Sequence, residues 1–135
     1  MVDDAEAVVR EFIGHFEHDW PADLDAPLEL VADDGYYQVA VGLTEPIRGK
    51  AAIKRAWEQM IEMGVESQKH EMRAVASNGS VVFTERVDQA LSGGAWSPIP
   101  LVAVFEVEGG LIRAWREYVG GDMSGATEAL ANLGH

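Results

Sequence analysis

The chain contains no cysteine. It therefore offers no disulfide, no thiolate nucleophile and no cysteine-ligated zinc. Basic residues are scarce: 10 Lys and Arg stand against 23 Asp and Glu, for a formal net charge of -13. Such a surface repels phosphate backbones and anionic lipids, which argues against nucleic-acid and membrane partners. Long apolar runs are missing as well. The longest, around 99–105, falls far short of the roughly 20 residues that cross a bilayer. Residues 1–10 are acidic and carry neither a basic n-region nor an apolar h-region, so no signal peptide is expected and a cytoplasmic location is the default. What remains is a globular composition, 47% hydrophobic and 24% charged. At 135 residues the expectation is a single domain over 1–135, with room for a core and one modest pocket.

The first half has helical spacing. Over 5–20, Val8, Val9, Phe12, Ile13, Phe16 and Trp20 fall on one arc, and Asp3 with Glu6 resembles a capping box. A second short helix is expected from Pro21 to just before Asp33, then a strand over 36–41. A third helix over 49–63 has Ile53, Trp57, Met60 and Ile61 on its apolar side and Gly64 just past its end. The second half has strand character near 65–76, 80–91, 96–107 and 111–119, separated by Asn78-Gly79, Gly93-Gly94 and Gly109-Gly110. A small helix over 123–132 closes the chain. Helices followed by a meander predict an α+β fold: a cone-shaped, curved antiparallel sheet covered by three N-terminal helices.

The informative residues are polar ones on a strand face that should be apolar. Alternation puts Val82, Thr84, Arg86 and Asp88 on one side of the segment at 80–91. A two-residue Gly93-Gly94 turn sets Asp88 opposite Ile99, Arg86 opposite Leu101, Thr84 opposite Ala103 and Val82 opposite Phe105, so the charges face apolar partners. In 111–119 the register decides. A two-residue Gly109-Gly110 turn points Glu117 away from Asp88. A three-residue loop over 108–110, ending in a G1 bulge at Gly110, sets Glu117 opposite Leu101 and Trp115 opposite Ala103, on the Asp88 side. The bulged loop is favoured. A competing arrangement is a solvated ion-pair face. In it a tight Asn78-Gly79 turn sets Glu71 opposite Arg86 and Lys69 opposite Asp88, whereas a three-residue loop brings His70 and Met72 to the Arg86 and Thr84 positions. In the buried arrangement, two close carboxylates cannot both ionise easily, an arginine holds both, and the pair can give and take a proton near neutrality.

Thr84-Glu85-Arg86-Val87-Asp88, Val104-Phe105-Glu106-Val107, Gly110 and Trp115-Arg116-Glu117-Tyr118 resemble the limonene-epoxide-hydrolase family, and the helical first half with Tyr37 extends the likeness over most of the chain. The resemblance implies the cone-shaped superfamily that also holds nuclear-transport-factor-like proteins, ketosteroid isomerases and polyketide cyclases. It implies a homodimer, a small lipophilic epoxide as substrate and no cofactor. By position, Asp88 is the acid that protonates the epoxide oxygen, Arg86 the bridge, Glu117 the base that activates water, and Tyr37 a water ligand. Leu101, Phe105, Trp115 and Met72 are candidate substrate contacts. Two positions depart from the family. Glu117 stands where it has aspartate, and Val39 stands where it has a water-holding asparagine. The departures leave an epoxide-opening cyclase or isomerase, or a binding module, as alternatives to hydrolysis.

Other signals are weaker. His15 and His18 have helical spacing but no third ligand, so no metal site is expected. The glycines at 120–125 lack the lysine ending of a phosphate loop, and no serine sits in a nucleophile elbow.

Overall fold

The computed structural model describes residues 4–121 and 130–134. Helix α1 (Ala5–His18) starts at Asp4, whose carboxylate accepts hydrogen bonds from the backbone N–H groups of Glu6 and Ala7. Asp3, the expected cap, lies outside the described residues, and the observed cap is Asp4. The inner face of α1 buries Val9, Phe12, Ile13 and Phe16. Helix α2 (Asp25–Leu28) is a single turn, far shorter than expected. The chain leaves it early because the Leu30 carbonyl accepts the Ile112 N–H at 2.7 Å, which draws Val31 and Ala32 into the sheet. Strand β1 (Val31–Gln38) thus begins before 36. Helix α3 (Lys50–Glu62) buries Ile53, Ala56 and Trp57, and Gly64 at φ +103 turns the chain away where other residues would be strained.

The remaining strands are β2 (Ile47–Arg48), β3 (Ser67–Asn78), β4 (Val81–Ser92), β5 (Ala95–Glu108) and β6 (Leu111–Val119). They form one curved, open sheet of six strands in the order β2-β1-β6-β5-β4-β3. The fold is α+β, as expected, with one correction. The sheet is not wholly antiparallel, because β1 lies parallel to β6. That pairing joins strands separated by α3 and three other long strands, and no local turn signal announces it. No helix among the described residues is long and apolar enough to cross a membrane. Most of the closing helix expected over 123–132 lies outside the described residues.

Registers fix which side chains meet. The β4–β5 hairpin follows the expected pairing: Asp88 opposite Ile99, Arg86 opposite Leu101, Thr84 opposite Ala103 and Val82 opposite Phe105. The other two hairpins need correction. Gly109 and Gly110 sit at φ +59 and +77, the signature of a two-residue type I′ turn rather than a three-residue loop. The extra residue is instead Arg113, inside β6, where pairing jumps from Val107–Ile112 to Glu106–Ala114. Glu117 therefore faces Ala103, and Trp115 faces Phe105. In β3 a matching bulge at Arg73 sets Met72 opposite Arg86 and His70 opposite Asp88. Each bulge reverses which side of the sheet the rest of its strand presents. The bulge in β6 is what turns Trp115 and Glu117 inward.

The core is aromatic where α1 and α3 meet the sheet. Phe12 meets Trp115 edge-on at 5.0 Å between ring centroids, and Phe16 meets Trp57 edge-on at 5.1 Å. Such pairs add roughly 0.5–1.5 kcal/mol each beyond area burial. They hold the helices against the concave face, and Phe16, Trp57 and Trp115 also line the cavity left there.

Candidate active site

Strand β4 presents Thr84, Arg86 and Asp88 at successive inward positions, and β6 brings Glu117 beside them. Arg86 ties the group together. Its Nε and Nη2 donate to Asp88 Oδ1 and Oδ2, both at 2.9 Å, a two-pronged carboxylate grip. The same Nη2 donates to Glu117 Oε2 at 3.2 Å, and Nη1 donates to Thr84 Oγ1 at 2.8 Å. The Tyr37 hydroxyl donates to Glu117 Oε1 at 3.0 Å. Side-chain exposure is 2% for Arg86, 9% for Glu117 and 16% for Asp88, so the charges lie inside the protein and the ion-pair face exposed to solvent is not formed.

Burial sets the electrostatics. It drives the Glu117 carboxyl from its ordinary 4.5 up to about 7, aided by Asp88 and opposed by Arg86 and Tyr37. Burial and the Glu117 charge also push the Tyr37 hydroxyl well above its ordinary value, so Tyr37 acts as a donor only. For Arg86, burial works against the charge, but Asp88 and Glu117 outweigh it and raise the pKa; the guanidinium stays cationic. A carboxyl that titrates near neutrality beside a second carboxyl, with a permanent cation between them, can exchange protons with a bound molecule.

These groups line one wall of a cavity of about 190 Å³. Of the residues singled out in the sequence, Tyr37, Arg86, Asp88, Leu101, Trp115 and Glu117 line it. Phe105 and Met72 do not, which corrects the expectation for both. Phe105 is fully buried and stacks behind Trp115, with centroids 6.0 Å apart and planes 11° from parallel. Met72 sits opposite Arg86 and stays out of the lining, while His70 sits opposite Asp88 and is part of it. His70 is a lining residue that sequence reasoning did not assign to the site. Only the β3 register could have revealed His70, and that register depends on the bulge at Arg73. Tyr37 points inward, while the Tyr36 hydroxyl accepts from Arg116 Nη1 at 2.7 Å. His15 lies 2.6 Å from Asp19, and no cluster of three or more metal-ligating side chains occurs among the described residues.

Comparison with known proteins gives the family and the fold. The family model of the limonene-1,2-epoxide hydrolase catalytic domain matches residues 3–126. No curated protein matches the chain. Among solved structures, an LEH-like epoxide hydrolase of M. tuberculosis is 27% identical, with a TM-score of 0.73 over 86% of this chain and 82% of that one. An NTF2-like protein from Anabaena variabilis is 22% identical, with a TM-score of 0.72 over 87% of each chain, and shares the fold. With a family match that spans nearly the whole chain and a carboxylate pair bridged by one buried arginine, the protein belongs to the limonene-1,2-epoxide hydrolase catalytic domain family.

Proposed function

We propose that the protein is a cofactor-independent epoxide hydrolase acting on a small lipophilic epoxide. The observation that carries this reading is Arg86 bridging two inward carboxylates on the wall of an otherwise mainly apolar cavity. In this reading the two carboxyls carry one proton between them. The reactive arrangement has that proton on Asp88 and the charge on Glu117, where Tyr37 and Arg86 both donate to the carboxylate. An epoxide C–O bond breaks as Asp88 gives its proton to the departing oxygen. Water bonds to the same carbon from the opposite side and gives a proton to Glu117. The product is a vicinal diol, and no covalent intermediate forms on the protein. Positioned acid and base groups of this kind each contribute about 10²–10⁴-fold. A base titrating near neutrality is well matched to the task.

The test is incubation with limonene 1,2-epoxide, cyclohexene oxide and styrene oxide in oxygen-18 water. Diol carrying one labelled oxygen, lost in Asp88→Asn, is expected. Folded protein that yields no diol from any of them would overturn the reading. A second reading has one specific support. Tyr37 spends its hydroxyl on Glu117, and Val39 lines the cavity without an amide to hold water. A substrate hydroxyl could then take the place of water, giving a cyclic ether with no label incorporated. Assembly as a homodimer fits the exposed Phe83, Val102 and Tyr118 on the outer sheet face, and sedimentation measures it directly.

A further inference from the structure

Ring opening leaves the shared proton in the wrong place. Asp88 has lost one and Glu117 has gained one, so the next turnover needs a proton moved back. Arg86 touches both carboxylates but keeps its protons throughout, so it cannot carry one between them. One buried titratable side chain has no part in the chemistry so far. The side chain of His70 of β3 is 4% exposed, and its Nε2 lies 4.0 Å from Asp88 Oδ2. Its Nδ1 is 3.8 Å from Glu17 Oε1 on α1 and makes no hydrogen bond among the described residues. A buried polar atom without a partner costs about 1–3 kcal/mol, so its presence calls for an explanation. Glu17 is held in place, because its Oε1 accepts the His70 backbone N–H at 2.7 Å. Its side chain is 39% exposed, so it joins the ring to solvent.

We propose that His70 returns the proton to Asp88 after each turnover, with Glu17 steadying the far side of the ring. The inference rests on the hydrolytic reading above. At rest the imidazole is neutral, with hydrogen on Nδ1 toward Glu17 and the Nε2 lone pair toward Asp88. Glu117 releases its proton to cavity water, that water protonates Nε2, and the imidazolium passes the proton from Nε2 to Asp88 Oδ2. Glu117 has lost one proton, Asp88 has gained one, and the ring ends as it began; nothing is oxidised or reduced. Closing the gaps of 3.8 and 4.0 Å to hydrogen-bond length takes about 1 Å of movement each. The charged groups facing the ring are Glu17 from α1 and Asp88 and Arg86 from β4, and Phe16 packs 5.7 Å from it. Burial lowers the basicity of the ring and Arg86 adds to this, while Asp88 and Glu17 oppose it. The imidazolium is therefore a passing state, as a relay requires. His70 is a positioning residue that acts through Asp88.

Two measurements on the full chain test this. Nitrogen-15 NMR reads the resting tautomer without substrate. Hydrogen on Nδ1 is expected, and hydrogen on Nε2 overturns the proposal. Rapid-quench kinetics of His70→Gln, with whichever epoxide the wild type opens, then separates the first turnover from later ones. The first equivalent of diol should form at the wild-type rate, followed by a steady state about 100-fold slower. Glu17→Gln should show the same pattern more weakly. A steady state within twofold of wild type overturns the relay and leaves hydrolysis standing. Equal slowing of the first turnover assigns His70 a merely structural role and also overturns it. No diol from the wild type removes both readings together.

Discussion

Replacing Glu117 by glutamine should make the protein more stable relative to wild type as pH rises, while removing its activity. The carboxyl is buried, and its pKa rises from 4.5 unfolded to about 7 folded. A raised folded pKa means the folded state binds the proton more tightly. The resulting stabilisation is complete below pH 4.5 and is lost as pH climbs through 7. Between pH 5 and pH 8 the wild type therefore loses about 2–3 kcal/mol from this one group. Glutamine cannot ionise, so the variant is spared that loss. Whatever constant cost the amide imposes on its contacts with Tyr37 and Arg86 cancels when the two pH values are compared. For a chain of this size, about 1 kcal/mol moves the melting temperature by roughly 3–5 °C, so the gap between the two proteins should shift by roughly 10 °C in favour of the variant. Thermal and urea denaturation of both proteins at pH 5 and pH 8 measures this. A stability difference that stays constant with pH would refute the assignment of Glu117 as the buried group that titrates near neutrality.

Further outcomes follow from the same geometry. Asp88→Asn should lower turnover by about 10²–10⁴-fold with the fold intact by circular dichroism, because an amide cannot donate the required proton. Tyr37→Phe removes a donor that favours ionised Glu117, so the acidic limb of the pH–rate profile, where the base becomes protonated, should move to higher pH. Phe105→Ala should cost about 3–5 kcal/mol in urea unfolding, since the ring is fully buried behind Trp115. Arg113→Ala should cost less than about 1 kcal/mol, because its partners Asp34 and Glu108 are exposed. Deleting Arg113 removes the bulge and should abolish both activity and cooperative unfolding, because Trp115 and Glu117 would turn outward.

Much of the site was legible because side-chain alternation is local. Thr84, Arg86 and Asp88 share a face whatever surrounds them, and two glycines at 93–94 set the register that places them opposite Ala103, Leu101 and Ile99. The inward face of Glu117 was expected for the wrong local reason. A three-residue loop and a bulge at Arg113 both reverse the strand's sides, but the extra residue sits in a different strand, so Glu117 meets Ala103 rather than Leu101. Phe105 and Met72 share the inward face with the lining residues, but alternation says nothing about depth along the cavity.

By itself the sequence determined the α+β class, the helical faces, the β4–β5 register and the placing of Thr84, Arg86 and Asp88 on one face of β4. Each follows from periodicity or turn chemistry within a few residues. Only the tertiary structure decided the parallel pairing of β1 with β6, the bulges at Arg73 and Arg113, and the meeting of Glu17, His70 and Asp88. A bulge changes little locally, and the one at Arg113 goes with burial of both Ile112 and Trp115, the latter against Phe12 of α1 and Phe105 of β5. That burial is packing between distant segments, which no stretch of sequence contains.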